Sequence, residues 1–232
     1  MAWSHGSRFD LARRLVEPYA GGRLLDYGCG DGTFVAMVHA TFAATRGVDV
    51  EPGQIEGCRT RLGDLPGVSF ALTRDLGSSD ARTWNIVTCM EVLEHCLEPE
   101  RRHIIQELAT LCAPDGRVVV SVPIETGPSV LGKQLVRAVA GLRRLGDYAH
   151  RERYSPIEMA RSVAGLPVSR VVYDGEGATG PFMYYGHKGF EWRDVEREIG
   201  ERLIIERRTF SPVPLTRSLL NSQAWFICTP RA

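Results

Sequence analysis

Two groups of side chains stand out by type and spacing. The first lies in Leu24-Leu25-Asp26-Tyr27-Gly28-Cys29-Gly30-Asp31-Gly32-Thr33-Phe34, a short apolar strand running into a tight loop with glycines at alternate positions. Such a loop leaves its inner side bare, so a ligand approaches the backbone closely. The strand-end acid Asp26 would repel a pyrophosphate and suits a cationic amino group. A second acid, Asp49, ends the next strand, where it would reach the two hydroxyls of a ribose. These residues describe a pocket for a nucleoside bearing an amino-acid tail. The second group is Glu91-Val92-Leu93-Glu94-His95. Two carboxylates and an imidazole at this spacing can hold Mg²⁺ or another divalent ion, or supply a general base. They can equally cap and orient the segment that follows.

These side chains require a scaffold of alternating strands and helices. Apolar spacing predicts a lead-in helix over 8–20, strands at 23–27, 45–50, 68–72, 84–90 and 117–122, and helices over 33–43, 52–62 and 99–112. Pro114-Asp115-Gly116 reads as a turn. The β-branched run of the fifth strand suits burial on both faces. The rhythm breaks after residue 122. One helix is expected over 129–145, a short one opens at Ser155-Pro156, a strand lies near 168–173, and a glycine-rich stretch runs from Gly175 to Gly186. A helix near 191–200 and strands at 202–210 and 223–229 follow. The link at 211–214 is too short for a crossover helix, so the last two strands are expected to be antiparallel neighbours. The fold class is α/β: a Rossmann-like, doubly wound, seven-stranded sheet, mostly parallel with an antiparallel last strand. Residues 1–232 form a single domain, with 124–189 inserted between strands five and six as a lid over the acceptor site.

Bulk properties narrow the partners. The chain has 232 residues, with 28 Lys plus Arg against 28 Asp plus Glu, so overall charge gives no sign of nucleic acid or a membrane surface. Arg143, Arg144, Arg151 and Arg153 form the best local basic cluster, read as a solvated helix face or as a grip on an acidic acceptor. None of the six cysteines sits in a C-x-x-C pair, which points to reduced core thiols. No segment has signal-peptide or membrane-span character, and a cytoplasmic protein is expected.

The segments Leu24–Phe34, Gly47-Val48-Asp49-Val50-Glu51, Arg74-Asp75-Leu76, Asn85–His95 and Leu111–Pro123 resemble those of class I S-adenosylmethionine-dependent methyltransferases, in family order and spacing. The likeness spans residues 20–123 and is closest to small-molecule O-methyltransferases, among them those of the ubiquinone pathway. The resemblance implies that Asp26, Gly28, Gly30 and Gly32 hold the methionine part of the cofactor, S-adenosyl-L-methionine. It implies that Asp49 binds the ribose, that Val50 flanks the adenine, and that Asp75 and Leu76 touch the adenine amino group. Cys89, Met90 and Glu91 would line the floor below the sulfonium. Arg74 departs from the family, which often has glycine there. Some relatives, including small-RNA 2′-O-methyltransferases, use an E-x-x-E-H pattern with a later histidine for a metal; the resemblance puts that histidine at His187, just before a helical pattern, with His150 as the second candidate. That assigns Glu91, Glu94, His95 and His187 as catalytic or metal-binding residues.

The expected reaction is methyl transfer to a hydroxyl of a small-molecule or saccharide acceptor, with a loose likeness of the carboxyl-terminal segment tilting the expectation toward a sugar. Tyr184 and Tyr185 adjoin His187 and could pack against the acceptor. An NAD-dependent oxidoreductase shares the fold, but Asp26 opposes it and Thr33 stands where its third glycine would be. Neutral charge opposes a nucleic-acid 2′-O-methyltransferase, and the two intact acids oppose a non-catalytic partner subunit.

Overall fold

The computed structural model describes residues 2–134, 154–177 and 180–231. Seven strands form the main sheet: β1 (Arg23–Tyr27), β2 (Ala44–Asp49), β3 (Val68–Leu72), β4 (Trp84–Met90), β5 (Cys112–Pro123), β8 (Leu203–Ser211) and β9 (Gln223–Pro230). Their order is β3-β2-β1-β4-β5-β9-β8. β9 runs antiparallel to both neighbours and the other strands run one way. The order reverses between β1 and β4, which opens a crevice at their carboxyl ends.

Strand alternation sends neighbouring side chains to opposite faces. Leu25, Val87, Val118, Val120 and Phe226 pack on one face against Ile105 and Leu108 of α4 (Glu98–Leu111) and Val195 and Ile199 of α7 (Trp192–Arg202). Leu24, Ile86, Val119 and Trp225 pack on the other, against Ala12, Leu15 and Val16 of α1 (Ala2–Val16) and Phe34 and Val38 of α2 (Thr33–Val38). Under the outer strands, α3 (Pro52–Leu62) sets Ile55 and Cys58 against Phe70. Burial on both faces explains why β4, β5 and β9 read as continuous apolar runs. No helix among the described residues is long and apolar enough to cross a membrane.

Several expected elements shift. The first helix begins at Ala2 and ends at Val16, and Pro18 converts its continuation into the 3-10 turn Glu17–Tyr19. α2 stops at Val38 rather than 43, because the chain turns early to reach β2: Gly21 N donates to Thr41 O at 2.8 Å and Ala43 N to Gly22 O at 2.9 Å. The Pro-Asp-Gly turn lies inside β5 as an outward bulge. Trp84 faces Cys112, yet Ile86 faces Arg117. The strand expected near 168–173 is instead β6 (Val172–Gly177), and the glycine-rich stretch forms β7 (Gly180–Tyr185), antiparallel to it in a separate two-stranded sheet. Gly175 is masked in this pairing by Phe182 across from it, whose ring fills the place a Cβ would take. Stacked rings of Tyr173 and Tyr184, 5.6 Å apart, pin the register. A helix (α5) opens at residue 129 and is described over 129–134. The rest of the expected 129–145 helix, with His150, Arg143, Arg144, Arg151 and Arg153, lies outside the described residues. α6 (Pro156–Val163) is capped by Ser155, whose Oγ accepts from Glu158 N at 3.3 Å.

α4 and α7 are joined by a buried ion pair. Arg101 donates from Nε and Nη2 to both carboxylate oxygens of Glu198, each at 2.6 Å. Removing one partner leaves the other charge buried and uncompensated, which costs about 3–5 kcal/mol, whereas an apolar pair of similar volume can be neutral. Arg101→Met is therefore expected to lose at least ~3 kcal/mol in urea unfolding. The double variant Arg101→Met/Glu198→Leu should recover most of that loss.

Candidate active site

The site is built on the loops at the carboxyl ends of β1, β2 and β4. After Tyr27 the chain must turn sharply, and Gly28 takes φ +77° with its backbone against Val92; a Cβ there would lie 2.3 Å from Val92 Cγ2. Gly30, at φ +52°, faces open space, and its N–H donates to Asp49 Oδ2 at 2.9 Å. Asp49 Oδ1 accepts from Glu51 N at 3.0 Å. One carboxylate thus ties the tip of β2 to the glycine loop, and each of its oxygens keeps a second lone pair for a ligand. Gly32 caps α2 in the left-handed conformation.

Asp26 lies at the centre of this crevice, 2% exposed. Its Oδ1 accepts from Thr88 Oγ1 on β4 at 2.7 Å. Burial lifts its pKa to about 7, the Thr88 hydrogen bond opposes this, and neighbouring Asp49 adds to the rise. The guanidinium of Arg8, on α1, favours the charged form of Asp26, Glu91 and Glu94 alike. Arg8 carries no signal in the sequence, because nothing in the pattern of α1 marks which arginine faces the sheet tips.

Val50 is largely exposed beside Asp49, and Leu76 packs half-buried at the edge of the core. Asp75 is exposed, and its Oδ2 accepts from Leu72 N at 3.3 Å, closing a 3-10 turn. The Cys89 side chain is fully buried in the core, leaving only backbone to line a pocket floor, and Met90 packs partly buried against the opposite core face.

The Glu91–His95 cluster divides. Glu91, at φ +57°, turns toward Arg8, whose Nη1 lies 3.8 Å from Oε2. Gln223 hydrogen-bonds Glu91, and its own Oε1 accepts from Ser211 Oγ at 3.0 Å, which in turn accepts from Trp225 Nε1 at 3.0 Å. Burial raises the Glu91 pKa, while Arg8, Lys133 and Gln223 pull it down. Glu94 and His95 converge instead with His187: one ligand atom from each lies within 4.8 Å of the others. Glu91, expected as a fourth donor, is outside this group.

Glu94 is fully buried, and neither carboxylate oxygen has a hydrogen-bond partner. Burial, with Glu91 adding to it, pushes its pKa well up. His95 Nδ1 stands 3.0 Å from Tyr185 O, an acceptor that fixes the proton on Nδ1 and turns Nε2 toward Glu94 Oε1, 3.9 Å away. Tyr185 N returns a hydrogen bond to His95 O at 2.9 Å. The His95 and His187 rings meet edge to face, 4.8 Å between centroids. Arg170, which no sequence pattern singles out, clamps the trio. It donates to the carbonyls of Glu94 and Gly186, with its guanidinium over the Tyr185 ring at 4.0 Å and the Phe190 ring at 5.1 Å.

Comparison with known proteins agrees with this fold. A family model described as a methyltransferase domain covers residues 5–162. The ubiquinone biosynthesis O-methyltransferase of Neisseria meningitidis serogroup C (strain 053442) is 30% identical over 158 residues, 64% of this chain and 65% of that protein. The matched region thus spans just under two thirds of that relative's length. Among solved structures, the PH0226 protein of Pyrococcus horikoshii OT3 superposes with a TM-score of 0.64 at 18% identity, over 99% of this chain and 92% of that one. The N-methyltransferase NodS of Bradyrhizobium japonicum WM9, in complex with S-adenosyl-L-homocysteine, gives 0.57 at 15% identity, over 97% and 86%. The reversed sheet order, the glycine loop tied to Asp49 and a family match over more than half of the sequence agree: this chain belongs to the class I S-adenosylmethionine-dependent methyltransferases.

Proposed function

We propose that the protein transfers a methyl group from S-adenosyl-L-methionine to a hydroxyl of a small molecule. The observation that carries this reading is the Glu94–His95–His187 trio beside the donor crevice, a proton acceptor where an alcohol needs one. The 30% identity to a ubiquinone biosynthesis O-methyltransferase supports oxygen as the target atom. A saccharide hydroxyl gains no such support.

The donor residues fit the cofactor. Asp26 is a buried carboxylate without a full ion-pair partner, suited to an ammonium group. Asp49 has lone pairs left for ribose hydroxyls, and Gly30 leaves open space for close approach. S-adenosylmethionine brings a methyl group already activated on a sulfonium. The protein must hold the acceptor oxygen in line, about 3 Å from the methyl carbon, and exclude water. His95 Nε2 takes the acceptor proton, its tautomer set by Tyr185 O. Glu91 orients Arg8 over the crevice. The segment 180–189, which carries Tyr184, Tyr185 and His187, covers the acceptor.

The trio also favours a second reading. Glu94 offers two oxygens that lack hydrogen-bond partners, and with His95 and His187 it makes a two-imidazole, one-carboxylate set suited to a divalent transition-metal ion with open positions. A cation there would repay the burial of Glu94 and lower the pKa of a nearby hydroxyl.

An acceptor screen with labelled S-adenosylmethionine, read by mass spectrometry, is expected to yield a phenol or alcohol product heavier by one methylene. Transfer only to nitrogen would refute the hydroxyl assignment. Chelator should stop turnover if the trio holds a metal and leave it unchanged if His95 acts as a base alone. Asp49→Ala is expected to weaken donor binding at least ~10-fold in calorimetry, since it loses the ribose contact and loosens the loop. Glu94→Ala should leave that affinity nearly unchanged.

The ionisation of Asp26 sets a pH dependence. Donor binding needs the carboxylate, and the buried acid holds its proton below about 7. Donor affinity should fall about tenfold per pH unit as pH drops below that value and level off above it. Asp26→Asn should bind weakly with no such slope.

A further inference from the structure

We propose that the loop joining β8 to β9 docks the protein on an anionic membrane surface. The loop, residues 212–222, carries four exposed apolar side chains: Leu215 at 97%, Leu220 at 66%, Leu219 at 57% and Val213 at 45%. Scattered exposed leucines are ordinary, whereas several on one short loop mark a contact surface.

The loop is prebuilt rather than collapsed. Asn221 is buried and its side chain serves the loop backbone from within. Its Oδ1 accepts from Val213 N at 2.6 Å. Its Nδ2 donates to Val213 O at 2.7 Å, to Thr216 Oγ1 at 3.0 Å and to Arg217 O. Ser222 N closes the base on Ser211 O at 2.9 Å. One polar side chain satisfies the inner backbone, so the leucines are held outward in water. That conformation makes sense when a second phase receives them.

Charge selects the phase. From residue 207 to the end the sequence has four arginines and no Asp or Glu. Arg217 and Arg208, with Thr209, Phe210 and Pro214, line a groove of about 430 Å³ beside the loop. Arg208 pairs with Glu196 at 2.6 Å, while among the described residues no acid pairs with Arg217. A cationic groove beside apolar side chains fits a lipid phosphate with its acyl chains at the leucines. The loop sits at the carboxyl end of β8, the end of the sheet that carries the site, and Gln223, one residue past the loop, hydrogen-bonds Glu91. Docking there turns the acceptor entrance toward the bilayer. The proposal stands on this surface and does not depend on which atom is methylated.

The test is co-sedimentation with phosphatidylcholine vesicles and with vesicles containing phosphatidylglycerol. The native protein should pellet with the anionic vesicles, less so at high salt. The variant Leu215→Ser/Leu219→Ser/Leu220→Ser should lose at least ~10-fold in partitioning, and Arg217→Glu about fivefold or more. Both should keep native melting temperatures and native affinity for S-adenosylhomocysteine. No pelleting of the native protein, or equal pelleting of the leucine variant, would overturn the proposal. So would a dimer in solution that the leucine variant abolishes without any vesicle binding, since the face would then serve a second copy.

Discussion

A carboxylate cut off from water sits at the tip of the central strand, and most of the site follows from what it needs. Asp26 can be buried charged only if something cationic answers it. Its one direct hydrogen bond, from the Thr88 hydroxyl, is neutral, and Arg8 acts on it while engaged by Glu91. The group therefore hovers between protonated and ionised near neutrality. An ammonium ligand completes the charge balance better than any neutral one. The sheet supplies the rest: β1 and β4 diverge at the reversal of strand order, the glycine loop clears space above Asp26, and Asp49 anchors that loop from the next strand.

Much of this was legible in the sequence because it is local. The strand, the glycines and the two acids fall within residues 24–49, and their spacing alone fixes their relation once the strands are parallel. The main sheet was legible for a related reason, since strands buried on both faces write long apolar runs. The β6–β7 hairpin was not. Its pairing sets Gly175 under Phe182, and a glycine that relies on an aromatic ring across the ladder carries no strand signal of its own. The bulge in β5 hid likewise, because a Pro-Asp-Gly turn reads the same whether it precedes a strand or swells within one.

The Glu94–His95–His187 trio was only half legible. Glu94 and His95 announce themselves, and His187 stands out by its place before a helical pattern. Their convergence, however, spans more than ninety residues and depends on Tyr185 meeting His95 backbone to backbone. The separation of Glu91 from its neighbours turns on a positive φ that no spacing rule reveals. Arg170 is recognisable only in three dimensions, by two carbonyls and two aromatic rings contributed by separate segments.

That division has a physical consequence for how the protein is put together. The family match ends at residue 162, so it contains Asp26, Asp49, Glu94 and His95 but neither Arg170, His187 nor the β8–β9 loop. The donor half rests on the parallel sheet, whose register admits little change because a slip of one residue turns every core side chain outward. The other half rests on a two-stranded sheet and a loop held by single side chains, Arg170 and Asn221. Each spans a few hydrogen bonds and can be rebuilt without disturbing β1 or β4. A register-bound sheet beside segments held by a few hydrogen bonds leaves the second part freer to vary than the first. On that account the segments beyond the family match should hold the features particular to this protein, and the clamp at Arg170 and the outward leucines both lie there.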